Sequence, residues 1–443
     1  MARLLYQKPH SSTVPSAPSS SGGSFLWTLL IIGLLVTLVN VFFEAATTWE
    51  GIPASGSSSK SHDPVQGQLI LSKHRPDAVP NKKGAADAKP ASKPKQDSAA
   101  PLTWETLDPA LKKEKGPILE LVRDAGLLDS VDIATLQRLP PWTQVTALYG
   151  DKPQFRGLHD GTCEKFQKSP NASWHFVSTA GTFNTGTNLM SELLIANCRM
   201  PEHEALPEPY GGAGVRWQVI WGKHTPVDDE QFRLTHRTYS NENLKADLMF
   251  PAVMVRDPFK WMQSMCRHPY SASWRKDNQN VSHCPNLVQK TSGTKEPQPV
   301  SVHVKYSEFS RHHESLVGFW DDFYAAYFSA KFPRLIVRFE DLIYHPREAV
   351  KSVCECAGGR LRSDDPSQFH YVTDSAKKGD AAHGDKSQRT SYLDALIRYG
   401  TKEGRYQGFT QADLKYANSR LNRKMMEALA YPFAENPASD AGA

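Results

Sequence analysis

The sequence predicts an α/β fold in which a parallel sheet is covered by helices on both faces, and three observations support this prediction. Apolar runs typical of buried strands occur at residues 174–180, 215–224, 250–256 and 334–342. Helical patterns follow most of these runs, often directly. Polar residues cluster where the runs end. A chain that alternates in this way binds its ligands at the carboxyl ends of parallel strands.

Composition divides the chain into six predicted segments. They are a cytosolic tail (1–24), a transmembrane signal anchor (25–43), a disordered stem (44–102), a helical N-terminal extension (103–170), the α/β domain (171–435) and a C-terminal tail (436–443). The stem is rich in Ser, Lys, Ala and Pro, and such a composition buries too little apolar surface to fold.

The predicted anchor at residues 25–43 is 19 residues long and uncharged. As a helix it would span about 28 Å, enough for the hydrocarbon core of a bilayer. A cleavable signal peptide is the alternative, but Glu44 stands where a small residue is expected. Because Arg3 and Lys8 precede the stretch, we expect a single-pass type II protein whose body is lumenal. The short span favours a thin Golgi membrane.

Six cysteines in an oxidising lumen favour disulfides over buried free thiols. Cys266 and Cys284 bracket a polar loop and are the predicted pair. The chain has no Cys-x-x-Cys motif, so no metal site is expected. Sequons at Asn171 and Asn280 fall on the exported side and predict a glycoprotein. The net charge of +5 is mild and its basic residues are scattered, which favours small anionic ligands and predicts no nucleic-acid partner.

A glycine- and threonine-rich turn at residues 181–188 joins the first strand to a helix, which is the arrangement of a phosphate-binding loop. Gly181 and Gly186 have the spacing of a nucleotide-kinase loop, but Thr187 replaces its lysine. ATP hydrolysis is therefore disfavoured. An ordinary strand–helix connection is the structural alternative for this turn.

A second candidate anion site follows the strand at residues 250–256. Asp257 and Pro258 suit the start of a helix, which leaves Arg256 at the end of the strand without a capping role. Its guanidinium can bind a phosphate bidentately, with the hydroxyl of Ser264 as a second donor. A surface arginine paired with a nearby acid is the alternative.

Together these segments resemble the PAPS-dependent sulfotransferases, where PAPS is 3′-phosphoadenosine 5′-phosphosulfate. TFNTGTNL is similar to the 5′-phosphosulfate loop of that family, VRDPFKWMQSM to its 3′-phosphate motif, and VRFEDLIYHPREAV to a later strand–helix signature. The likeness covers roughly residues 172–435. It implies a P-loop-like sulfotransferase fold and an enzyme that uses PAPS as co-substrate, without a metal. The cofactor-binding residues it implies are Thr182, Asn184, Thr185, Gly186, Thr187, Asn188, Arg256 and Ser264.

The reacting centre is expected at Lys223 and His224, which follow the second predicted strand. They resemble a Lys–His pair that many sulfotransferases carry there. Histidine has an ordinary pKa of about 6.5 and can take the proton of an acceptor hydroxyl. Glu204 and Glu208 are alternative bases. The family usually has a lysine where this chain has Asn184, and Lys223 is the predicted substitute.

Two other functions stay open from the sequence. A Golgi glycosyltransferase shares the type II layout, but no Asp-x-Asp motif is present. A non-catalytic lumenal protein that binds PAPS, or the product 3′-phosphoadenosine 5′-phosphate (PAP), would account for the asparagine at position 184. The acceptor hydroxyl belongs to a glycan or another secretory-pathway substrate, such as a protein or a lipid, and its identity is not predicted.

Overall fold

A computed structural model of the protein describes residues 102–207, 212–238, 244–274, 283–290, 293, 296–377 and 389–435. These residues all belong to one unit, Pro94–Ala443. The predicted cytosolic tail, anchor and C-terminal tail, almost all of the stem, and the sequon at Asn280 lie outside them. Within the described ranges, no helix combines the length and the apolarity that a membrane crossing requires.

Helices and strands are numbered separately along the described chain. The helices are α1 Pro109–Asp124, α2 Ile133–Arg138, α3 Trp142–Tyr149, α4 Thr162–Gln167, α5 Thr187–Asn197, α6 Pro201–Glu204, α7 Glu230–Thr235, α8 Pro258–Arg267, α9 Leu316–Ser329, α10 Phe339–Tyr344, α11 Pro346–Cys356, α12 Tyr392–Tyr399, α13 Gln411–Arg420 and α14 Arg423–Ala428. The strands are β1 Phe155–Arg156, β2 Phe176–Ala180, β3 Cys198–Arg199, β4 Met249–Val255, β5 Ala272–Ser273, β6 Val288–Gln289, β7 Gln298–Pro299, β8 Val302–Lys305, β9 Ser310–His313, β10 Leu335–Arg338 and β11 Arg360–Leu361.

The central sheet has the strand order β1-β10-β4-β2 and is mixed. Strands β2, β4 and β10 are parallel, but β1 pairs antiparallel with β10 through Phe155 and Val337. The prediction of a parallel sheet was therefore wrong. The reason is that β1 comes from the N-terminal extension and is two residues long, too short to show a strand period in the sequence.

The remaining sheets depart further from the prediction. They are small and antiparallel: β11-β3, β5-β8-β9 and β6-β7. The strand predicted at residues 215–224 is also wrong, because only Val215 forms a bridge, with Val177 of β2. Beyond it the segment follows β2 through separate hydrogen bonds, from Val219 to the Thr179 carbonyl and from Gly181 to the Lys223 carbonyl. This irregular segment still delivers its last residues to the end of β2.

The core lies around β4, all seven of whose residues are buried. A buried ion pair fixes the end of this strand, since Arg405 Nε stands 2.6 Å from Asp257 Oδ2. Asp257 also accepts from the backbone N–H groups of Phe259 and Lys260 and so caps α8. The turn from β4 into α8 is thus held by a carboxylate whose charge is already compensated.

Three disulfides cross-link the described residues. The predicted Cys266–Cys284 bond is confirmed. The other two involve cysteines at the end of α11: Cys354 bonds to Cys198, and Cys356 bonds to Cys163. Disulfides are typical of proteins that fold in an oxidising compartment, as in the secretory pathway.

Candidate functional site

The turn between β2 and α5 brings the backbone into close contact with its neighbours. Gly181 and Gly186 have φ angles of 143° and 86°. A Cβ on Gly181 would stand 2.5 Å from the carbonyl oxygen of Met254, and one on Gly186 would clash with the ring of Phe339. Glycine alone therefore fits at both positions.

The N-terminus of α5 opens into a cavity of about 210 Å³. The helix begins at Thr187 without a side-chain cap. Gly186, which precedes the helix, and the first helical residues through Leu189 line the cavity. The first N–H groups of a helix have no intrahelical acceptor and carry the positive end of its dipole. This wall of the cavity therefore favours an anion.

Arg256 lines the same cavity from the end of β4. Its Nη1 donates to the main-chain oxygen of Asn184 at 2.9 Å, and its guanidinium lies 4.7 and 4.4 Å from the ring centres of Phe339 and Tyr399. The Nε and Nη2 groups are buried and have no hydrogen-bond partner among the described residues. Buried donors without partners are rare and costly, so this guanidinium is prepared for an anionic ligand.

Ser264 and Arg267 add donors beside Arg256, and both line the cavity. Arg267 Nη2 donates to Ser264 Oγ at 2.8 Å, and Ser264 Oγ donates to the Lys260 carbonyl at 3.0 Å. Burial, followed by the nearby positive charge of Arg256, lowers the pKa of Arg267 against the opposing effect of Tyr399. Two guanidiniums and a hydroxyl thus meet at one end of the cavity.

Asn184 connects the loop to α8. Its φ of 61° lies in the left-handed region, which asparagine tolerates better than most residues. Its Nδ2 donates to the carbonyl of His268 at 2.8 Å and to that of Ser264 at 3.3 Å. Its Oδ1 accepts from Lys377 Nζ at 3.1 Å. The residue that replaces the expected loop lysine therefore positions both the loop and a cation from another segment.

Lys223 contacts the first turn of α5. Its Nζ donates to Asn188 Oδ1 at 2.7 Å and lies 5.2 Å from the ring centre of Trp217. Burial lowers the pKa of Lys223 to about 8. Lys223 and Asn188 both line the cavity, so the ammonium group stands where an anion on the α5 terminus would be bound.

His224 lies beside Lys223 on the cavity wall. Its Nδ1 is 2.7 Å from the carbonyl oxygen of Gly181, and its ring packs 4.8 Å from that of Phe183. A carbonyl only accepts hydrogen bonds, so Nδ1 carries the hydrogen and Nε2 is the basic nitrogen of the neutral ring. The phosphate loop therefore sets both the orientation and the tautomer of this histidine.

The described lining of the cavity is strongly cationic. It includes five lysines and arginines and one carboxylate, Asp374; the five cations are Lys223, Arg256, Arg267, Lys377 and Arg389. An apolar part of the lining is formed by Phe339, Ile343, Val372, Tyr392 and Ala395. A lining that combines cations, uncapped N–H groups and apolar side chains fits a ligand with several negative charges and a flat organic group.

Tyr399 lies among the cations of the cavity. Burial by itself raises the pKa of its phenol, but the charges of Arg256, Arg267 and Arg398 outweigh burial and lower the pKa to about 8. The positive charge around Tyr399 thus outweighs the cost of burying a phenolate.

Not every predicted site residue reaches the cavity. Of the loop threonines, Thr182 and Thr185 are buried, and Thr185 Oγ1 donates to the Thr182 carbonyl instead of facing the ligand space. The alternative base Glu204 pairs with Arg199 at 2.7 Å and is not part of the lining. Glu208 lies outside the described residues.

Several lining residues were missed by sequence reasoning. Arg267 follows Ser264 by three residues, so helical spacing alone could have indicated it. Lys377 and Arg389 belong to a polar stretch with no periodic pattern, and nothing in the strand–helix order places that stretch at the cavity.

Metal binding and similarity to known proteins add no further constraint. Within the described ranges, no group of three or more His, Cys, Asp or Glu side chains is placed to hold a metal ion. Comparison of the chain with protein-family models, curated proteins and solved structures gives no match.

Proposed function

We propose that this protein is an enzyme that transfers a sulfuryl group from PAPS to an acceptor hydroxyl. The observation that supports this most strongly is the buried guanidinium of Arg256, whose Nε and Nη2 have no hydrogen-bond partner among the described residues and which lines a cavity at the uncapped terminus of α5. Two anion sites, one at Arg256 and one at the N-terminus of α5, suit a nucleotide that carries a phosphate at both the 3′ and the 5′ carbon.

The residues present fit PAPS in three respects. The loop and the first turn of α5 would hold the 5′-phosphosulfate, because α5 begins without a side-chain cap and its first residues line the cavity. Arg256, Arg267 and Ser264 would hold the 3′-phosphate. The apolar lining around Phe339 and Tyr392 would take the adenine ring.

Bound PAPS would supply the sulfuryl group, whose sulfur–oxygen bond to the nucleotide breaks as the acceptor oxygen bonds to sulfur. His224 is the proposed base and receives the acceptor proton at Nε2, because Nδ1 is held as a donor to Gly181. Lys223 lies next to His224 and stabilises the negative charge that develops on the nucleotide oxygen. This chemistry needs positioned donors and a base, and the place of Lys223 and His224 in the cavity lining supports the proposal that they fill these roles.

The direct test is incubation of purified protein with ³⁵S-labelled PAPS and a panel of glycans, peptides and lipids. Wild type should label at least one acceptor, and His224→Ala should label it far more slowly. Failure to label any acceptor, combined with absence of PAP binding, would refute the proposal.

Asn184 favours a second candidate, a non-catalytic protein that binds PAPS or PAP. The loop then carries no lysine because no transfer takes place. PAP binding at full strength together with no transfer to any acceptor would identify this case.

We further propose that the enzyme works in the Golgi lumen, on glycans or other secretory-pathway substrates. Its three disulfides fit an oxidising lumen. The membrane anchor at residues 25–43 lies outside the described residues and stays a prediction from the sequence. Protease treatment of sealed microsomes should leave the α/β domain intact, and its digestion without detergent would contradict a lumenal location.

A further inference from the structure

Lys377 is a partly buried cation at the phosphate loop that the strand–helix pattern does not account for. Its Nζ donates to Asn184 Oδ1 at 3.1 Å, and the residue lines the cavity. Asn184 uses its other side-chain atom to bind α8, so its Oδ1 is directed at Lys377 by the fold. The contact therefore belongs to an arrangement formed by the loop, α8 and the segment that contains Lys377.

The charges that act on Lys377 are mostly positive. Its hydrogen-bond partner is a neutral amide, and its Nζ lies 5.5 Å from the ring centre of Tyr270. Burial, and after it the charge of Arg256, lowers the pKa of Lys377 to about 8 against the opposing effect of Tyr399. A partly buried ammonium held beside other cations is costly unless an anion completes the site.

Tyr270 faces Lys377 and has an unusual backbone conformation. Its φ is 53°, a value that is unusual for a bulky residue without a special role. In this conformation its ring stacks on that of Phe183 at 5.5 Å and faces the ammonium group of Lys377. Phe183 in turn packs against His224, so one aromatic contact chain connects Lys377 with the proposed base.

We propose that Lys377 binds the 5′-phosphosulfate of PAPS and supplies the positive charge that Asn184 does not provide. This inference rests on the proposed function. As the acceptor oxygen bonds to sulfur, the bond from sulfur to the 5′-phosphate oxygen breaks and that oxygen keeps the electron pair. Lys377 and Lys223 stabilise this charge from two sides of the α5 terminus, while the acceptor proton passes to His224.

Lys377 contacts the phosphate loop rather than the side chains proposed to bind the 3′-phosphate. Its hydrogen bond is to a loop side chain, whereas Ser264 and Arg267 bond to each other on α8. Arg256 lies near both groups, because its Nη1 binds the main chain of Asn184. The alternative, that Lys377 binds the 3′-phosphate, is therefore the outcome that the test must separate.

Truncated ligands separate the two ends of the nucleotide without any sulfuryl transfer. Calorimetric affinities are measured for PAP, adenosine 5′-monophosphate and adenosine 3′-monophosphate with wild type, Lys377→Met and Arg256→Ala. Lys377→Met should weaken PAP and the 5′-monophosphate by about tenfold or more and leave the 3′-monophosphate nearly unchanged. Arg256→Ala should show the opposite selectivity.

Two further variants control for the loss of a lysine side chain. Lys377→Arg keeps the charge and should keep most of the 5′-phosphate affinity. Lys260→Met removes a buried lysine that is not part of the lining and whose Nζ donates to the Arg398 carbonyl, and this variant should bind PAP as wild type does.

The outcomes decide separately on the inference and on the proposed function. The role of Lys377 is overturned if Lys377→Met loses affinity for adenosine 3′-monophosphate. It is also overturned if this variant binds all three ligands as tightly as wild type. If wild type itself binds PAP no better than adenosine, the proposed function fails and the inference fails with it.

Discussion

At position 184 a single residue connects three segments of the protein. Its amide nitrogen binds the end of α8, its amide oxygen binds Lys377, and its main-chain oxygen binds Arg256. A lysine at this position would lose the bonds to α8 and would have to adopt a φ of 61°. If Lys223 and Lys377 bind the phosphosulfate as we propose, they compensate for the absent loop lysine and the protein is active.

The first prediction at this scale concerns His224. Because its Nδ1 is committed to Gly181, substitution by alanine removes the basic Nε2 from the cavity. His224→Ala should lower turnover by about 10² to 10⁴ and leave PAP affinity nearly intact. Steady-state rates with ³⁵S-labelled PAPS and calorimetry of PAP measure the two effects. Near-normal turnover would place the base elsewhere, and Glu208 would be tested next.

The second prediction concerns pH. The pKa of Lys223 and that of Lys377 are about 8 in the free protein, and a bound anion raises both. As pH rises from 7 to 9 the free lysines lose their protons, so PAP affinity should fall by about tenfold for each lysine that contacts the ligand. Ionisation of Tyr399, whose pKa is also about 8, acts in the same direction.

Calorimetry of PAP at pH 7, 8 and 9 tests this dependence, since a phosphate with a second pKa near 6 stays ionised throughout. Lys223→Met should show a shallower decline than wild type. An affinity that does not change with pH would show that these lysines do not contact the nucleotide.

At the scale of elements, the cavity arises where two parallel strands end and an irregular segment runs beside them. β2 leads into the loop and α5, and β4 leads into Arg256 and α8. The segment before Lys223 is not a regular strand, yet its hydrogen bonds to β2 bring Lys223 and His224 to the same end. The two β–loop–α connections and this segment therefore form the site together.

The tight contact of the loop with α10 gives a prediction for Gly186. Gly186→Val introduces a side chain at a φ of 86° and against the Phe339 ring, so the start of α5 must shift. PAP affinity should fall at least about tenfold, which corresponds to roughly 1.4 kcal/mol. Gly212→Val is the matched control, because nothing lies within 4 Å of a Cβ there. Equal PAP binding by both variants would contradict a phosphate site at this loop.

These elements also show what sequence reasoning can and cannot find. Arg256 and the glycine loop were accessible because each directly follows a long apolar strand, and the change from strand to helix leaves a clear pattern. β1 and Lys377 were not accessible. The first is a two-residue strand that pairs across 180 residues, and the second lies in a polar stretch whose position depends on tertiary contacts.

At the scale of the whole molecule, disulfides tie the N-terminal extension and the site to the rest of the body. The Cys163–Cys356 bond links α4 of the extension to α11, and β1 of the extension completes the edge of the central sheet. The Cys266–Cys284 bond begins on α8, two residues after Ser264. Stability and ligand binding should therefore depend on different disulfides.

The chain-entropy model quantifies this difference. The Cys198–Cys354 bond lies within the Cys163–Cys356 loop, so it closes an additional loop of only about 40 residues and contributes about 4 kcal/mol to the free energy of unfolding, whereas Cys266–Cys284 spans 18 residues and contributes about 3 kcal/mol. Replacing Cys198 and Cys354 by serine should lower the melting temperature more. Replacing Cys266 and Cys284 should lower PAP affinity more, because α8 loses its anchor.

Thermal unfolding and calorimetry of the two double variants, with non-reducing peptide mapping of wild type, test the prediction. Free alkylation of Cys266 and Cys284 in the untreated protein would rule out their bond. Identical effects of the two double variants on both measurements would contradict the separate roles.

The central claim is that the cavity binds the nucleotide of PAPS through Arg256, and calorimetric titration with PAP tests it most directly. Wild type should bind PAP with one site and more tightly than ATP. Arg256→Ala should bind PAP about 10- to 150-fold more weakly, the equivalent of about 1.5 to 3 kcal/mol. Arg420→Ala, which removes an arginine that pairs with Glu314 and is not part of the lining, should match wild type. Equal PAP affinity in Arg256→Ala and wild type, or tighter binding of ATP than of PAP, would contradict the claim.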